Sequence, residues 1–337
     1  MNLLQFTDRG IYCPAGDFYI DPWKPVDRAV ITHAHSDHAR WGNKHYLCHT
    51  DSVPLLQLRL GQDISVQGIK YREPLLINGV SVSLYPAGHM IGSAQVKITH
   101  EGQSWVVSGD YKTENDGISG EFEPVKCHTF ITESTFGLPI YTWKPQVQIF
   151  SDIREWIQSN RQAGKNSVLL AYSLGKAQRL LYNLKDHVSK FMVHGAIYNA
   201  QEVLQQQHWP LPAVERITPD TPKSAYTDSV IIAPPSAAGS TWMRRFNPYA
   251  LGVCSGWMQV RGNMRRSNAD AGFAISDHAD WPGLLDAVKA TGAERVFVTH
   301  GFSSTFARYL QEQGLEAGEV KTEFGQEEEE KEVTTET

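Results

Sequence analysis

The chain has 337 residues, of which 41% are hydrophobic and 20% are charged, a balance typical of a soluble globular protein and not of a disordered or fibrous one. This length exceeds what one hydrophobic core usually spans, so we expect one large domain with an insert, or two domains. The sequence shows no membrane-length apolar run, no signal peptide and no CxxC spacing among its four cysteines. We therefore expect a cytoplasmic protein without disulfides and without a thiolate metal site.

The net charge of −6 comes mostly from the last twelve residues, where six Glu and one Lys give −5 and leave −1 for the rest. We predict a solvated, disordered acidic tail over 326–337, with a partner-binding or nucleic-acid-mimicking tail as the alternative. Between Asp228 and Asp270 the sequence holds no acidic residue. Five arginines and four aromatic residues lie there: Arg244, Arg245, Arg261, Arg265, Arg266, Trp242, Phe246, Tyr249 and Trp257. Such a segment suits a phosphate backbone with stacked bases, but it also suits a solubilising face over core aromatics.

Two patterns of predicted elements follow one another along the chain. From Asp17 to about Thr135, short apolar runs such as FYID, AVITH and SWVVSGD end in polar turns and predict buried strands. From Pro145 to about Pro234, helical and strand-like segments alternate, which predicts a parallel sheet with crossover helices. The first pattern returns near Ala271, with a helix across Gly283 to Ala290 and the strand RVFVTHG. We predict a β-rich domain formed by 1–140 and 270–325, interrupted by an α/β insert over 141–269.

The motif HAHSDH directly follows the predicted strand DRAVIT and contains His33, His35, Asp37 and His38. Imidazole and carboxylate groups are ligands suited to Zn²⁺ and similar divalent ions. In an extended loop, His33 and His35 can face one ion while Asp37 and His38 turn toward a second. A polar loop with structural histidines is the alternative interpretation.

Further chemically competent side chains lie at the carboxyl ends of apolar runs elsewhere. They are Asp21, His89, Asp110, Glu133, His278 and His300. Loops at one edge of a sheet gather ligands from distant parts of a chain, so we expect these residues to share one site. His194 also ends an apolar run, but it lies inside the predicted insert and is the weaker candidate.

These residues carry a resemblance to a known family. HAHSDH, with Asp21 before it and His89 and Asp110 after it, resembles the metallo-β-lactamase superfamily. ESTFG, ISDHADW and VTHG match the additional motifs of its β-CASP nuclease branch. The whole pattern, including YCPAGDFYIDPW, GWMQVRG and an acidic tail after TEFG, is most similar to bacterial DNA ligase-associated exonucleases. The resemblance implies a metallo-β-lactamase αββα sandwich with an inserted α/β β-CASP domain.

The resemblance also implies a role for each residue. His33, His35 and His89 would bind one metal, Asp37, His38 and His300 would bind the other, and Asp110 would bridge them. Asp21 would orient a ligand through a hydrogen bond. The predicted catalytic residues are His278, Glu133 and Asp37, with His278 oriented by Glu133 and donating the proton that the leaving oxygen needs. The cofactors are then two divalent ions, Zn²⁺ or Mn²⁺, which activate a water and clamp the phosphoryl oxygens.

Two strand-to-helix junctions in the predicted insert are candidate phosphate contacts. Ser173 precedes Lys176 and Arg179 at the first junction, and Ser240 precedes Arg244 and Arg245 at the second. Free backbone N–H groups at such junctions can bind phosphate. Serine and glycine at these positions are also ordinary helix caps, which is the alternative.

The predicted function is a two-metal phosphodiesterase acting as a DNA exonuclease in DNA repair, with an ATP-dependent DNA ligase and a helicase as partners implied by the resemblance. A β-CASP ribonuclease is the alternative, because DNA-acting members usually carry an aliphatic residue where this chain has His300. A different metallo-hydrolase would predict neither the insert nor the arginines. A degenerate binding module would predict missing ligands, whereas every ligand position is filled.

Overall fold

The computed structural model describes residues 2–266 and 268–320, and the predicted tail over 326–337 lies outside the described residues. The strands β1 to β19 are, in order, Gln5–Thr7, Gly10–Cys13, Phe18–Ile20, Arg28–Val30, His45–His49, Val66–Ile69, Leu75–Ile77, Val80–Pro86, Ala94–His100, Gln103–Val107, Thr129–Glu133, Asn166–Leu170, Phe191–Val193, Glu215–Arg216, Val230–Ala233, Tyr249–Cys254, Ala271–Phe273, Arg295–Thr299 and Glu316–Glu319. The helices α1 to α7 are Val53–Leu60, Gln146–Gln162, Lys176–Leu184, Gly195–Gln206, Arg261–Arg266, Trp281–Thr291 and Ser303–Glu312. None of the helices formed by the described residues is long and apolar enough to cross a bilayer.

The chain divides into two units, both with mixed α/β structure. Unit 1 comprises residues 2–142 and 278–320, and unit 2 comprises residues 143–277. The second boundary lies later in the chain than the predicted division at 269/270. The reason is that β17 pairs in parallel with β16, with Gly252 opposite Ala271, so that these residues belong to the sheet of unit 2.

Unit 1 is built on two sheets. Their strand orders are β1-β2-β3-β4-β5-β6 and β19-β18-β11-β10-β9-β8-β7. Apolar side chains of both sheets, such as Ile20 and Val30 from one and Val96 and Trp105 from the other, pack in a shared core. On the opposite face of the larger sheet, α6 and α7 pack their apolar residues against it. Burial of this apolar surface is the main stabilising contribution to such a layered arrangement.

The directions of the strands explain where loops meet in unit 1. In the smaller sheet, β3, β4 and β5 are mutually parallel. In the larger sheet, β10, β11 and β18 are mutually parallel. Parallel neighbours end at the same edge of a sheet, so the loops that follow these strands lie together, and such loops are where functional residues concentrate.

Helix α6 shows how local sequence determines an element beside these loops. Asp280 caps its amino end, where Oδ1 accepts a hydrogen bond from Gly283 N at 2.9 Å, and a proline lies in its first turn. Gly292 ends it in the left-handed conformation with φ of 64°. Just before the cap, Ala279 N donates to Tyr111 O at 2.7 Å. This bond ties the segment next to His278 to the loop that follows β10.

Unit 2 contains the third sheet, with strand order β14-β13-β15-β12-β16-β17 and parallel pairing between the neighbouring strands. Helices α2, α3 and α4 contribute apolar residues such as Ile149, Ile153 and Leu180 to a core on one face. Tyr226, Met243 and other residues cover the opposite face. The parallel sheet with crossover helices that the alternating pattern predicts over 145–234 is therefore confirmed.

The four cysteines are buried and unpaired. Burial raises the pKa of the Cys48 and Cys254 thiols to about 12 and that of the Cys127 thiol to about 11. Burial also raises the pKa of the Cys13 thiol. At neutral pH all four side chains are therefore protonated apolar packing groups.

Candidate metal centre

The HAHSDH loop begins shortly after β4 ends and turns its histidines inward. Ala39 N donates to His35 O at 2.8 Å, which closes a tight turn over the motif. As a result His33 and His38 are almost fully buried, whereas the side chain of Asp37 remains about one-third exposed. The local fold thus places two imidazoles inside the protein and one carboxylate at the opening.

Asp110, which follows β10, lies at the middle of the histidines. Its Oδ2 is 3.6 Å from His33 Nε2, 3.4 Å from His38 Nε2 and 3.9 Å from His89 Nε2. His89 Nε2 is also 3.1 Å from His35 Nδ1. Two groups of side chains have ligand atoms within 4.8 Å of one another and could each hold an ion. They are His33, His35, His89 and Asp110, and His33, Asp37 and His38.

The nitrogen atoms of this cluster fit a metal. Within the described residues, the Nε2 atoms of His33 and His38 are buried without a hydrogen-bond partner. Buried polar atoms normally have one, so these two atoms need an explanation, and bound metal ions would provide it. Burial, with His38 and His89 nearby, holds the pKa of His33 well below its usual range. A neutral imidazole is the form that binds metal.

The carboxylates supply the matching negative charge. Burial raises the pKa of Asp110, but His38, His278 and His33 outweigh it and hold this pKa well below its usual range. Burial likewise lowers the pKa of His38, but Asp110, Asp37 and Asp21 outweigh it and raise the pKa well above its usual value. The same field that draws a proton to His38 attracts a cation to the cluster.

Asp21 and Thr32 determine which ring nitrogens face the cluster. Asp21 Oδ2 accepts a hydrogen bond from His38 Nδ1 at 2.7 Å and from Thr32 Oγ1 at 2.5 Å. Because that hydroxyl has only one proton to donate, its contact of 3.1 Å with His33 Nδ1 requires the imidazole N–H to donate. In both histidines Nδ1 therefore donates outward, which leaves Nε2 facing the cluster, where a bound ion would take the place of a proton. Asp21 is a predicted residue, whereas Thr32 carries no sequence signal beyond its place before the motif.

Glu133 and His278 form a second pair beside Asp110. His278 Nδ1 lies 3.0 Å and 2.9 Å from the two carboxylate oxygens of Glu133. The carboxylate is held in place because it also accepts from Tyr111 N at 2.8 Å and from Thr135 N at 3.3 Å. The ring of His278 lies 4.8 Å from that of His89, and Asp110, Glu133 and His278 form a third group that could hold an ion.

His300 lies at the edge of the cluster. Its ring stacks on that of His38 at 5.3 Å between centroids, and it lines a small pocket with Trp23, Asp37 and His38. Its backbone has φ of 50° and is held by Ser134 Oγ, which donates to His300 O at 2.5 Å. Among the described residues, the groups that could hold an ion do not include His300. Its role as a ligand remains a prediction.

A buried ion pair ties together the loops that carry His89 and Asp110, and no sequence motif indicates it. Lys112 Nζ donates to Asp116 Oδ2 and to Gly88 O, each at 2.6 Å, and both charged side chains are about 1% exposed. Asp116 also accepts from Ser119 N at 2.8 Å. Gly88 has φ of 73°, and a Cβ there would lie 2.5 Å from Lys112 O. Only glycine allows this close approach.

The candidate phosphate contacts of the first junction lie inside unit 2. Lys176 is buried with Nζ 3.6 Å from Asp277 Oδ2, and Arg179 is buried against Asp277 Oδ1 at 3.4 Å and Gln146 Oε1 at 2.7 Å. Arg179 also donates to Ser276 O. Ser173 Oγ is buried as well. These cations balance an internal carboxylate, a use that the sequence pattern could not distinguish from phosphate binding.

The second junction is more accessible. Arg244 is exposed, and Arg245 is half-buried with Nη1 donating to Thr218 O at 2.9 Å. Ser240 Oγ donates to Ala237 O at 2.7 Å and makes no side-chain cap of the following turn. His194 caps α4, where Nδ1 accepts from Ala196 N at 3.2 Å. That hydrogen bond gives His194 a structural role within unit 2.

Comparison with known proteins gives one relative that matches almost the whole chain. It is a protein of Opitutus terrae named "Probable DNA ligase", 32% identical over 314 residues, which cover 91% of this chain and 30% of that protein. The chain therefore spans less than a third of that relative's length. No family model matches the chain.

Other relatives match about half of the chain. "Endoribonuclease YSH1" of Gibberella zeae is 29% identical over 51% of this chain and 20% of its own length. "Cleavage and polyadenylation specificity factor 73" of Drosophila melanogaster is 25% identical over 53% of this chain and 27% of its own length. Among solved structures, a protein of unknown function from Enterococcus faecalis V583 has a TM-score of 0.60 at 10% identity, over 88% of this chain and 79% of that one. This last likeness concerns the fold alone.

Proposed function

The chain belongs to the β-CASP branch of the metallo-β-lactamase superfamily, and from that premise we propose that it is a metal-dependent nuclease that trims DNA from one end. We assign unit 1 as the catalytic αββα sandwich and unit 2 as the β-CASP insert. The observation that carries the proposal is the buried pair of unpartnered Nε2 atoms around Asp110, next to an imidazole held by Glu133.

The assignment of residues to the two metals comes from the family resemblance, and the two groups, which share His33, support it by bringing most of these side chains together. His33, His35 and His89 would hold one ion, Asp37 and His38 would hold the other with His300 as a further ligand, and Asp110 would serve both. Two bound divalent ions, Zn²⁺ or Mn²⁺, would activate a water and neutralise charge on the phosphoryl oxygens. Asp21 and Thr32 hold the donor nitrogens toward the ions, which is the usual task of groups behind metal ligands.

His278 is the proton donor in this proposal. Its Nδ1 donates to Glu133, whose carboxylate balances a positive charge on the ring, so that Nε2 can carry the proton destined for the leaving oxygen. Asp37 is the partly exposed carboxylate at the opening, a position from which it can bind an ion and also orient the attacking water. Each of these roles uses side chains of unit 1.

DNA is the favoured substrate because the relative that matches 91% of the chain is named as a DNA ligase. The same name supports a place in DNA repair with an ATP-dependent DNA ligase, and the resemblance adds a helicase as a partner in the cytoplasm. RNA is the second candidate. His300 and the name of the relative that matches 51% of the chain, an endoribonuclease, favour it.

The test uses end-labelled single-stranded DNA and RNA of matched sequence, incubated with the full chain and Zn²⁺, Mn²⁺ or a chelator. A double variant, Asp37→Ala with His38→Ala, is the control because it removes two ligands of one ion. We expect metal-dependent shortening of DNA from one end, abolished by the chelator and in the variant.

Degradation of RNA alone would transfer the proposal to the ribonuclease candidate and strengthen the role of His300. Cleavage at internal positions would support nuclease activity but contradict the proposed exonuclease activity. Cleavage of neither nucleic acid under any metal condition would overturn the proposed function.

A further inference from the structure

Trp41 is a large aromatic side chain that the fold leaves in solvent. It is 75% exposed and lies three residues after the ligand candidate His38. Three residues span at most about 11 Å, so the Cα atom of Trp41 lies within one or two nucleotide lengths of the Cα atom of His38. Single exposed apolar residues are common on proteins, and the position alone would mean little.

The turn that carries Trp41 is rigidly built. Arg40 O accepts from Tyr46 Oη at 2.8 Å and from Asn43 Nδ2 at 3.2 Å. Asn43 Oδ1 in turn accepts from Val26 N at 2.9 Å, and both Asn43 and Tyr46 are buried. The backbone on either side of Trp41 is therefore held by buried hydrogen bonds while the indole itself lies outside the core.

The same turn packs on the segment that also carries a residue of the pocket beside the candidate metal site. Gly42 has φ of 100°, and a Cβ there would lie 3.1 Å from Pro25 Cγ, so the turn packs closely on the segment after β3. Trp23 in that segment lines the pocket that also contains Asp37 and His300. Trp41 thus lies on a turn that packs against the segment carrying Trp23, a residue of the pocket wall.

We propose that Trp41 is a stacking platform for an unpaired nucleobase of the substrate, next to the phosphate that the metals engage. The inference rests on the proposed function and names its substrate more closely, as a single-stranded end. Both faces of a base inside a duplex are already covered, whereas an unpaired nucleotide is free to turn a face to the indole. Stacking of this kind tolerates any base, because each has a π-face.

The experiment measures binding without turnover. The full chain carrying His278→Ala and loaded with Mn²⁺ is titrated against fluorescein-labelled single-stranded DNA by anisotropy, with Trp41→Ala or Trp41→Phe added. We expect Trp41→Ala to weaken binding about 5- to 150-fold and Trp41→Phe to retain most of the affinity. Leu76→Ala is the matched control, since Leu76 is 72% exposed on β7 and carries no proposed role.

Abasic oligonucleotides make the test specific. For the protein with Trp41, a single abasic position near the end should weaken binding as much as Trp41→Ala does. For the Trp41→Ala protein, the same abasic position should cause no further loss of affinity. Equal affinities with and without Trp41, or a weakening that is the same at every abasic position, would overturn the stacking proposal. If one of these outcomes occurs and the wild-type chain still cleaves DNA, the proposed function is retained and only the stacking proposal is rejected. If the wild-type chain neither binds nor cleaves nucleic acid, both proposals fall.

Discussion

At the scale of single residues, the two ring nitrogens of each histidine in the site have different roles. The Nδ1 atom donates a hydrogen bond to Asp21 in His38, to Thr32 in His33 and to Glu133 in His278. Each partner orients the ring and selects its tautomer, and the opposite nitrogen is left for chemistry. The buried, unpartnered Nε2 atoms of His33 and His38 suit metal binding, whereas the ring of His278 is partly exposed and suits proton transfer to a substrate.

Replacing His278 with alanine tests whether proton transfer can be separated from metal binding. We expect kcat for nucleic acid cleavage to fall about 10²- to 10⁴-fold, the usual contribution of a positioned proton donor, while the bound metal per chain stays the same. The measurement combines single-turnover cleavage with elemental analysis of the dialysed protein. His100→Ala, in a strand of the same unit, serves as the matched control.

Release of metal from the His278→Ala protein would contradict the assignment. It would instead make His278 a ligand in the third group, with Asp110 and Glu133. A protein that keeps both its metal and its full kcat would remove His278 from the reaction altogether.

Much of this residue-level arrangement could be predicted, because histidines and carboxylates at the ends of apolar runs are unusual enough to stand out. The family resemblance drawn from those motifs is confirmed by the relatives. Thr32 could not be predicted, since a threonine at the end of a strand has many ordinary uses. Lys176 and Arg179 show the opposite problem: the pattern indicates a surface cation, while their partner Asp277 is about a hundred residues away in the chain.

At the scale of elements, Lys112 connects the loop after β8 to the loop after β10. Its ammonium group links Gly88, next to His89, with Asp116, beyond Asp110. Removing one partner of a buried ion pair leaves the other charge buried without compensation. We therefore expect the separation of the ligand candidates His89 and Asp110 to depend on this link.

Lys112→Met should lower the free energy of unfolding by about 3–5 kcal/mol, the usual cost of breaking a buried pair, and weaken metal binding about 10- to 100-fold. Chemical denaturation in chelator and competition with a metal indicator measure the two effects separately. Lys44→Met breaks the exposed pair with Asp27 and should change neither quantity. Unaltered metal affinity in a destabilised Lys112→Met protein would show that the link serves stability alone.

Element positions are largely readable from the sequence, whereas pairing between distant elements is not. The helical spacing of apolar residues marks α2 and α3 because side chains three and four apart share a face. β17, in contrast, is only three residues long, and its membership in the sheet of unit 2 depends on the partner strand β16. Short strands carry too few side chains for their pattern to specify a partner.

At the scale of the whole molecule, charge is the property most relevant to a nucleic acid substrate. The described chain is close to neutral, and five of its arginines are concentrated between 244 and 266. Arg244 is exposed there, in contrast to the internal Lys176 and Arg179. A phosphate backbone would gain most from the exposed members of the cluster.

Charge reversal of Arg244 and Arg245 to glutamate should weaken single-stranded DNA binding and flatten its salt dependence. The slope of log K against log salt concentration should decrease by about 0.7 for each phosphate that the protein no longer neutralises. Titrations at several salt concentrations give the slope directly. Lys165→Glu, at an exposed position of the same unit, is the control. An identical slope in the wild-type, control and charge-reversed proteins would exclude the two arginines from the interface.

The burial of the four cysteines has a practical consequence for chemistry done on the protein. Thiols that are enclosed and protonated at neutral pH react slowly with alkylating and oxidising reagents, because the thiolate is the reactive form. We therefore expect little reaction of the native cysteines with maleimides. A cysteine introduced at an exposed position, such as Leu76→Cys, would be the preferred point of labelling, so a fluorophore or spin probe could be attached there without first removing the native thiols.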